Sequence, residues 1–431
     1  MARDLIAGVK IAGCMVGPSL PMVGPVKDGG AIVFDSAPGC WGPMITPHLD
    51  GGHEVTEPVA VEGAQVGDAI ALRIKEILVI SKATASGTSA TAPGTRARKG
   101  DQVVRQCPQC NTEFPPTVLE GIGEAAIRCG QCGAEAIPYN VTCGYTIVFD
   151  EEKILALTVD SEKAGEIARQ AREYASLPST SKQIPVLLLG TADVRGGILA
   201  RMRPFVGNIG TLPAIDVSAS CNCGDFGQFL FEGGLSQEQF DALTDGHLDA
   251  DSVREGAILI CPVKVEGGGV YVGDVHAMQG DGEIAGHTTD VSARVTVEVE
   301  VIKGLALQGP LLLPPVEDLP FLSKPFTVSE LDQGHVLASE WNAVLEESAP
   351  VQFVGSGSDL NTATQNALER AAALLEMSVE EVKNRVTITG AVEIGRAPGL
   401  VTATLLAPVG RLKALGILHL VEEMYGFGGT G

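Results

Sequence analysis

Val295-Thr296-Val297-Glu298-Val299-Glu300-Val301 alternates apolar and polar residues along its whole length. A period of two sends every second side chain to one face, the pattern of a half-buried β-strand. Reading outward from it, Ala31–Phe34, Val59–Val61, Ala69–Lys82 and Gly256–Tyr271 are also strand-like, with glycine and proline between them. Residues 185–232 add further strands separated by glycine turns. The chain has 53 Gly and 25 Pro but only 4% aromatic residues, which favours a turn-rich sheet protein over a helix bundle. Helices are expected at Asp160–Leu177, capped by Asp160 or Ser161, at Ser236–Leu243, and at Asn361–Glu376, followed by a capping box opening at Ser378. The fold class is mainly β with an α+β C-terminal part. The expected organisation is an N-terminal β domain at 1–190, with residues 83–106 as a loop leading into an insertion at about 95–142. A second β unit at 191–325 and an α+β part at 326–431 follow, with the Pro-rich stretch Gly309–Pro325 as linker.

The charge balance narrows the partners. Lys plus Arg number 30 and Asp plus Glu 53, giving −23. A nucleic-acid backbone needs a basic footprint and anionic lipid needs a basic patch, so neither is expected. With 45% hydrophobic residues, the chain can bury a large core. Residues 1–10 carry Arg3, Asp4 and Lys10 and lack a signal-peptide core, and no apolar run is long enough to span a bilayer. The expectation is a cytoplasmic protein acting on a small molecule, as a closed homo-oligomer.

Ten cysteines divide into two groups. Cys107-Pro108-Gln109-Cys110 and Cys129-Gly130-Gln131-Cys132 are two CxxC pairs with zinc-ribbon spacing, so four thiolates can hold a structural zinc. Such a site has no open coordination position and does no chemistry. Cys14, Cys40, Cys143, Cys221, Cys223 and Cys261 fit small core residues in a reducing compartment. Cys221 and Cys223 also flank a turn and are candidate nucleophiles.

Two polar clusters carry candidate chemistry. In Gly273-Asp274-Val275-His276-Ala277-Met278-Gln279-Gly280-Asp281-Gly282-Glu283, Asp274 and His276 are two apart and share a face of an extended segment. That spacing suits two ligands of one metal or a carboxylate–histidine proton relay. The second cluster, His48-Leu49-Asp50-Gly51-Gly52-His53-Glu54, holds two of the seven histidines. Each cluster alone also fits a polar turn. If they met in space they would form a His/carboxylate site with room for water.

At these residues the chain resembles the acetamidase/formamidase family of amide hydrolases. The likeness runs through Glu57-Pro58-Val59-Ala60-Val61-Glu62-Gly63-Ala64-Gln65-Val66-Gly67-Asp68, Arg203-Pro204-Phe205-Val206-Gly207-Asn208, Cys221-Asn222-Cys223-Gly224-Asp225 and the GDxHxxQGDGE segment at 273–283. It departs from the family at Glu57, at the two cysteines around Asn222, and in Ile284-Ala285-Gly286-His287-Thr288-Thr289-Asp290, where the family reads CGTAIE. The resemblance implies a β-sandwich or barrel-like fold and hydrolysis of an amide C–N bond, with the departures compatible with a larger amide or a lactam. No GxSxG elbow or Ser–Lys pattern is present, so an activated water is the expected attacker. The expected roles are Asp274 and His276, with His53 or Asp50, holding a second divalent ion (Zn or Ca) or orienting water. Glu283 would be the general base, with Asp281 beside it. Asn222 or Gln279 would donate to the carbonyl oxygen, and Asp225 and His53 would contact substrate. Two other readings are a non-catalytic β-sandwich binding module and a zinc-ribbon adaptor for protein partners.

Overall fold

The computed structural model describes residues 4–39, 46, 49, 52–90, 105–136, 140–185, 194–228, 230 and 234–426. Its largest element is a nine-stranded sheet, ordered Leu5–Val9, Ala31–Ser36, Ala293–Ile302, Ala69–Val79, Ile258–Pro262, Leu311–Leu313, Ser348–Ser356, Leu400–Pro408 and Ala391–Arg396. All neighbours are antiparallel except the first pair. Strands from all three sequence segments therefore share this one sheet. Val295, Val297 and Val299 are buried on one face of Ala293–Ile302 while Glu298 and Glu300 stay partly exposed, as the alternation requires.

A second sheet packs against the first. Its path runs Phe205–Gly210, Tyr271–His276, Val55–Thr56 and Ile11–Gly13, and Asp290–Val291 also pairs with Tyr271–His276. Ile32, Phe34, Leu72, Val295 and Val297 from the large sheet meet Val206, Ile209, Val272 and Val275 from the small one in a single core. Burial at that scale, about 25 cal/mol per Å2 of apolar surface, is the main force holding the layers together. The C-terminal helices Leu360–Leu375 and Val379–Thr389 cover the far end of the large sheet through Leu368, Ala371, Leu375 and Val382.

Several elements differ from the sequence expectation, each for a local reason. Gly256–Tyr271 is not one strand: Gly267, Gly268 and Gly269 all have positive φ, and this turn separates Ile258–Pro262 from Tyr271–His276. The segment Asp160–Leu177 forms two short helices, Ser161–Ala168 and Ala171–Tyr174, broken at Gln170, with Asp160 capping the first through Lys163 N at 2.9 Å. The Pro-rich stretch is not a free linker, because Leu311–Leu313 is a buried central strand bracketed by its prolines. Ala83–Ala90 is a strand, paired with Asn140–Phe149 in a four-stranded insertion sheet with Leu155–Val159 and Leu199–Arg201. That sheet leans on the small one, where Tyr145 Oη meets Thr289 Oγ1 at 3.0 Å and Ser86 Oγ meets His287 Nδ1 at 2.7 Å. Among the described residues, no helix is long and apolar enough to cross a membrane.

Candidate active site

The strand Tyr271–His276 carries the centre of the site. Asp274 has φ +52°, a left-handed conformation that a non-glycine residue adopts at a cost. The register with Phe205–Gly210 skips Asp274, passing from Val206↔Val275 to Asn208↔Gly273. Strict alternation is thereby broken: Val272 and Val275, three apart, both reach the core. Asp249 (φ +46°) and Glu283 (φ +44°) share the left-handed backbone. Strain concentrated on three neighbouring acids is characteristic of a functional site.

Five side chains converge on Asp274. His53 Nδ1 lies 2.8 Å and His247 Nε2 3.5 Å from its Oδ2, and His276 Nε2 lies 3.1 Å from its Oδ1. Asp249 Oδ2 is 3.0 Å from His247 Nε2, and Asp290 Oδ1 is 3.2 Å from His276 Nε2. All six residues are buried. Long-range pairing assembles them. Leu248 N and Asp249 N both donate to Gly207 O, at 2.7 and 3.1 Å, pinning the loop that carries His247 and Asp249 to the strand beside Asp274. His53 N donates to Ser220 Oγ at 2.8 Å. His276 and Asp290 are cross-strand partners. Gly207 forms the floor: a Cβ there would lie 2.4 Å from Asp249 Oδ1 and 2.7 Å from His276 Cε1.

The electrostatics follow from burial and proximity. Burial works against the charge on Asp274, but His53 and His276 outweigh it and hold this carboxyl well below the ordinary range. Burial likewise opposes charge on His276, and Asp274 and Asp290 overcome it and raise its pKa well above the usual value. For Glu283 burial comes first and the charges of Asp249 and Asp274 add to it, so its carboxyl is held well above the usual range. Such a carboxyl holds its proton more tightly than an ordinary glutamate.

The donor set fits divalent metal. His53, His247 and Asp274 form one triad of ligand atoms within 4.8 Å of one another, and Asp249, Asp274 and His276 form a second. Asp274 belongs to both. His247 Nε2, Asp249 Oδ1 and both Asp274 oxygens are buried with no hydrogen bond of their own. Such atoms are costly to leave unsatisfied, and a cation would satisfy them together. Ser220 O lies 2.8 Å from His247 Nδ1, so that nitrogen donates, and in the neutral ring Nε2 carries the lone pair for a ligand.

Behind the triads stands Arg396, from the C-terminal edge strand. It is 1% exposed. Nε and Nη2 donate to the two oxygens of Asp225 at 3.0 and 2.9 Å, Nη1 donates to Asp249, and Nη2 reaches His247 O at 3.2 Å. Its strand also grips the base segment, since Gly282 N donates to Ile394 O and Ala397 N to Gly282 O, both at 2.9 Å.

Several sequence-based assignments change. Asn222 is engaged within the fold: its amide nitrogen donates to Thr244 Oγ1 and Tyr271 Oη at 2.8 and 2.9 Å, and its oxygen accepts from Thr244 N. Gln279 likewise spends its amide nitrogen on Asp249 O and Gly395 O, at 2.7 and 3.1 Å. Both are braces, so neither is a ready oxyanion donor. Asp225 is a fully buried partner of Arg396. Asp281 is exposed on the far side of its turn, lining a cleft with Asp251, Asp318 and Glu393. Burial pushes the Cys221 and Cys223 thiols up to about 12 and about 11, so neither is an activated nucleophile. His48, Asp50 and Cys40 lie outside the described residues, as does the side chain of Cys143. The sequence reading missed His247, Asp249, Asp290 and Arg396. His247-Leu248-Asp249 repeats the two-apart spacing of Asp274-Val275-His276 in mirror order and was detectable, whereas nothing local marks Arg396.

The four ribbon cysteines also converge. Cys107 Sγ is 3.7 Å from Cys132 Sγ and Cys110 Sγ is 3.8 Å from Cys129 Sγ. Tetrahedral ligands at ~2.3 Å from a metal stand roughly 3.8 Å apart, far longer than a disulfide. Gln109 N and Cys110 N point at Cys107 Sγ, at 3.4 and 3.5 Å, as in a metal-binding knuckle.

Comparison with known proteins shows the family and the fold. Residues 34–238 and 241–411 match the profile described as the Acetamidase/Formamidase family. A Schizosaccharomyces pombe protein whose assigned name is that of a formamidase is 31% identical over 107 residues, a stretch covering 22% of this chain and 26% of that relative. The crystal structure of a protein titled a predicted acetamidase/formamidase from Thermoanaerobacter tengcongensis superposes with a TM-score of 0.54 at 18% identity, over 96% of this chain and 99% of that one. The acetamidase of Yersinia enterocolitica gives 0.54 at 15%, over 94% and 93%. At these identities the two structures establish the shared fold.

Proposed function

The chain belongs to the acetamidase/formamidase family, and from that premise we propose that it hydrolyses the C–N bond of a small neutral amide, releasing ammonia. The observation that carries the proposal is the buried Asp274 carboxylate standing between two His/carboxylate triads with its oxygens unsatisfied by hydrogen bonds. His53, His247 and Asp274 would hold one divalent ion, and Asp249, Asp274 and His276 would hold a second, with histidine ligands favouring zinc over calcium. When bound, such ions lower the pKa of water and polarise a carbonyl oxygen.

The chain's own residues do the rest. Glu283 accepts the proton of the attacking water and returns it to the leaving nitrogen, a task suited to a carboxyl held above its usual range. Addition of water to the carbonyl carbon and cleavage of the C–N bond then give a carboxylic acid and ammonia. Ser220 O fixes the tautomer of His247, and Arg396 fixes Asp249. A neutral substrate needs no electrostatic steering, which agrees with a chain carrying −23. The ribbon thiols would hold a structural zinc. The described cysteines are all free, which supports a reducing, cytoplasmic setting.

A panel assay for ammonia from formamide, acetamide, longer amides and lactams, run beside metal analysis of the same sample, tests this directly. Turnover of at least one linear amide with metal above the ribbon's single equivalent is expected. Metal-replete protein that hydrolyses none of the panel would refute it.

A further inference from the structure

Residues 180–184 follow the helix Ala171–Tyr174 in the chain, and each of them bonds to a distant segment. Ile11 N donates to Thr180 Oγ1 at 3.2 Å. Ser181 Oγ and Lys182 N donate to Glu54 Oε2 and Oε1, at 2.7 and 2.8 Å. Gln183 Nε2 donates to Pro38 O at 2.7 Å, and Ile184 N donates to Thr46 Oγ1 at 3.0 Å. Gln183 N also donates to Ser181 Oγ at 3.2 Å, which ties the turn to itself. Upstream, Ser81 Oγ donates to Ala175 O at 2.7 Å and fixes where the segment starts. Ser181 and Gln183 are buried. An ordinary loop leaves its polar groups to water, whereas this one is a strap drawn down onto the fold.

The strap closes on the two segments that border Asp274. Pro38 precedes Gly39, where a Cβ would overlap the Asp274 carboxylate. Glu54 follows His53, whose Nδ1 stands 2.8 Å from Asp274 Oδ2. Of these two neighbouring side chains, one therefore serves the site and the other serves the strap. Glu54 is 0% exposed and belongs to neither triad of ligand atoms around Asp274. Burying a carboxyl group is costly, so its two bonds to one turn need a reason. Paired bonds fix the orientation of a planar group as well as its position, which an apolar contact does not do. Groups that orient a metal ligand from behind are worth about 10–100-fold in metal affinity or activity. We propose that Glu54 is a positioning residue: by gripping the strap 180–184, it fixes His53 toward the metal that His53, His247 and Asp274 would hold. The inference rests on the metal-dependent reading given above.

Zinc titration of the intact protein against a chromogenic chelator tests this. It is run beside kcat and KM for the best amide of the panel, with urea unfolding to report stability. Glu54→Leu should weaken one zinc equivalent beyond the ribbon's by about 10–100-fold, and kcat should fall more than KM rises. Glu54→Gln should recover most of that loss, because its amide oxygen accepts from Lys182 N and its amide nitrogen donates to Ser181 Oγ. Ser181→Ala, which lies outside both triads, should lower zinc affinity in the same direction. Glu54→Leu with Ser181→Ala should be no weaker than Glu54→Leu alone, since both remove one shared contact. Should Glu54→Leu fail to fold, Ser181→Ala decides the question. A lowered urea midpoint with unchanged zinc affinity, additive losses in the double variant, or a wild type that binds no zinc beyond the ribbon's would overturn the inference. A wild type that binds the zinc but turns over no amide refutes the hydrolase alone, and the titration still decides the role of Glu54.

Discussion

Replacing Arg396 by methionine isolates the physics that ties the C-terminal part to the site. The side chain is 1% exposed and bonded to both oxygens of a fully buried Asp225 and to Asp249. Methionine keeps most of the volume but strands the Asp225 carboxylate, whose charge Arg396 stabilises against burial. Breaking a buried pair from one side costs about 3–5 kcal/mol. Asp249 is less exposed to the loss, because His247 Nε2 remains 3.0 Å away. Arg396→Met/Asp225→Asn removes the stranded charge along with its partner. The double variant should therefore recover about 2 kcal/mol or more relative to the sum of the single ones. The assay is urea unfolding of all four proteins, read as the change in midpoint at constant slope, with kcat measured in parallel. Arg396→Lys should fail to substitute, since an ammonium cannot bridge both carboxylate oxygens in that fork. Additivity within ~0.5 kcal/mol would refute the claim that Arg396 and Asp225 act as a coupled buried pair.

Glu283→Gln should lower turnover on the order of 10²–10⁴-fold with unfolding unchanged, and near-normal turnover would remove Glu283 from the mechanism. Gly207→Ala should push Asp249 and His276 out of place and reduce kcat/KM about 100-fold, while the far-ultraviolet spectrum is preserved; an active Ala variant would show the floor has slack. Cys107→Ser should remove one equivalent of metal and destabilise the ribbon without altering the metal held at Asp274, which elemental analysis and protease sensitivity would report. Burial and the charges of Asp281, Asp251 and Asp318 push the Glu393 carboxyl up to about 7 from an ordinary 4.5. The folded protein thus holds this proton more tightly than the unfolded chain, so stability from this group is present below pH 4.5 and fades as pH rises through about 7. The melting temperature of Glu393→Gln relative to wild type should accordingly climb between about pH 5 and about pH 8, and a flat difference would refute the shift.

The legible parts of this protein are those whose physics is local. The alternation at 295–301 requires a strand with one buried face, and the structure has it. Two CxxC knuckles are each complete within a few residues, so their meeting at 3.7 and 3.8 Å follows from spacing. Asp274, His276 and Glu283 sit on one motif and reach one place. Misreadings arose where a residue's partner is distant. Asn222 looked like a substrate donor until Thr244 and Tyr271 took its amide. Gly267–Gly269 looked like a strand interior because a local window does not register three positive φ values in a row.

Sequence alone determined the β character, the ribbon's ligands and half of the candidate site, because strand period and ligand spacing act over a few residues. Only the tertiary structure brought His53, His247, Asp249 and Asp290 around Asp274, and put Arg396 behind them from a strand more than a hundred residues downstream. Those contacts come from pairing between strands and loops remote in the chain, and no local pattern encodes which remote carboxylate an arginine will meet.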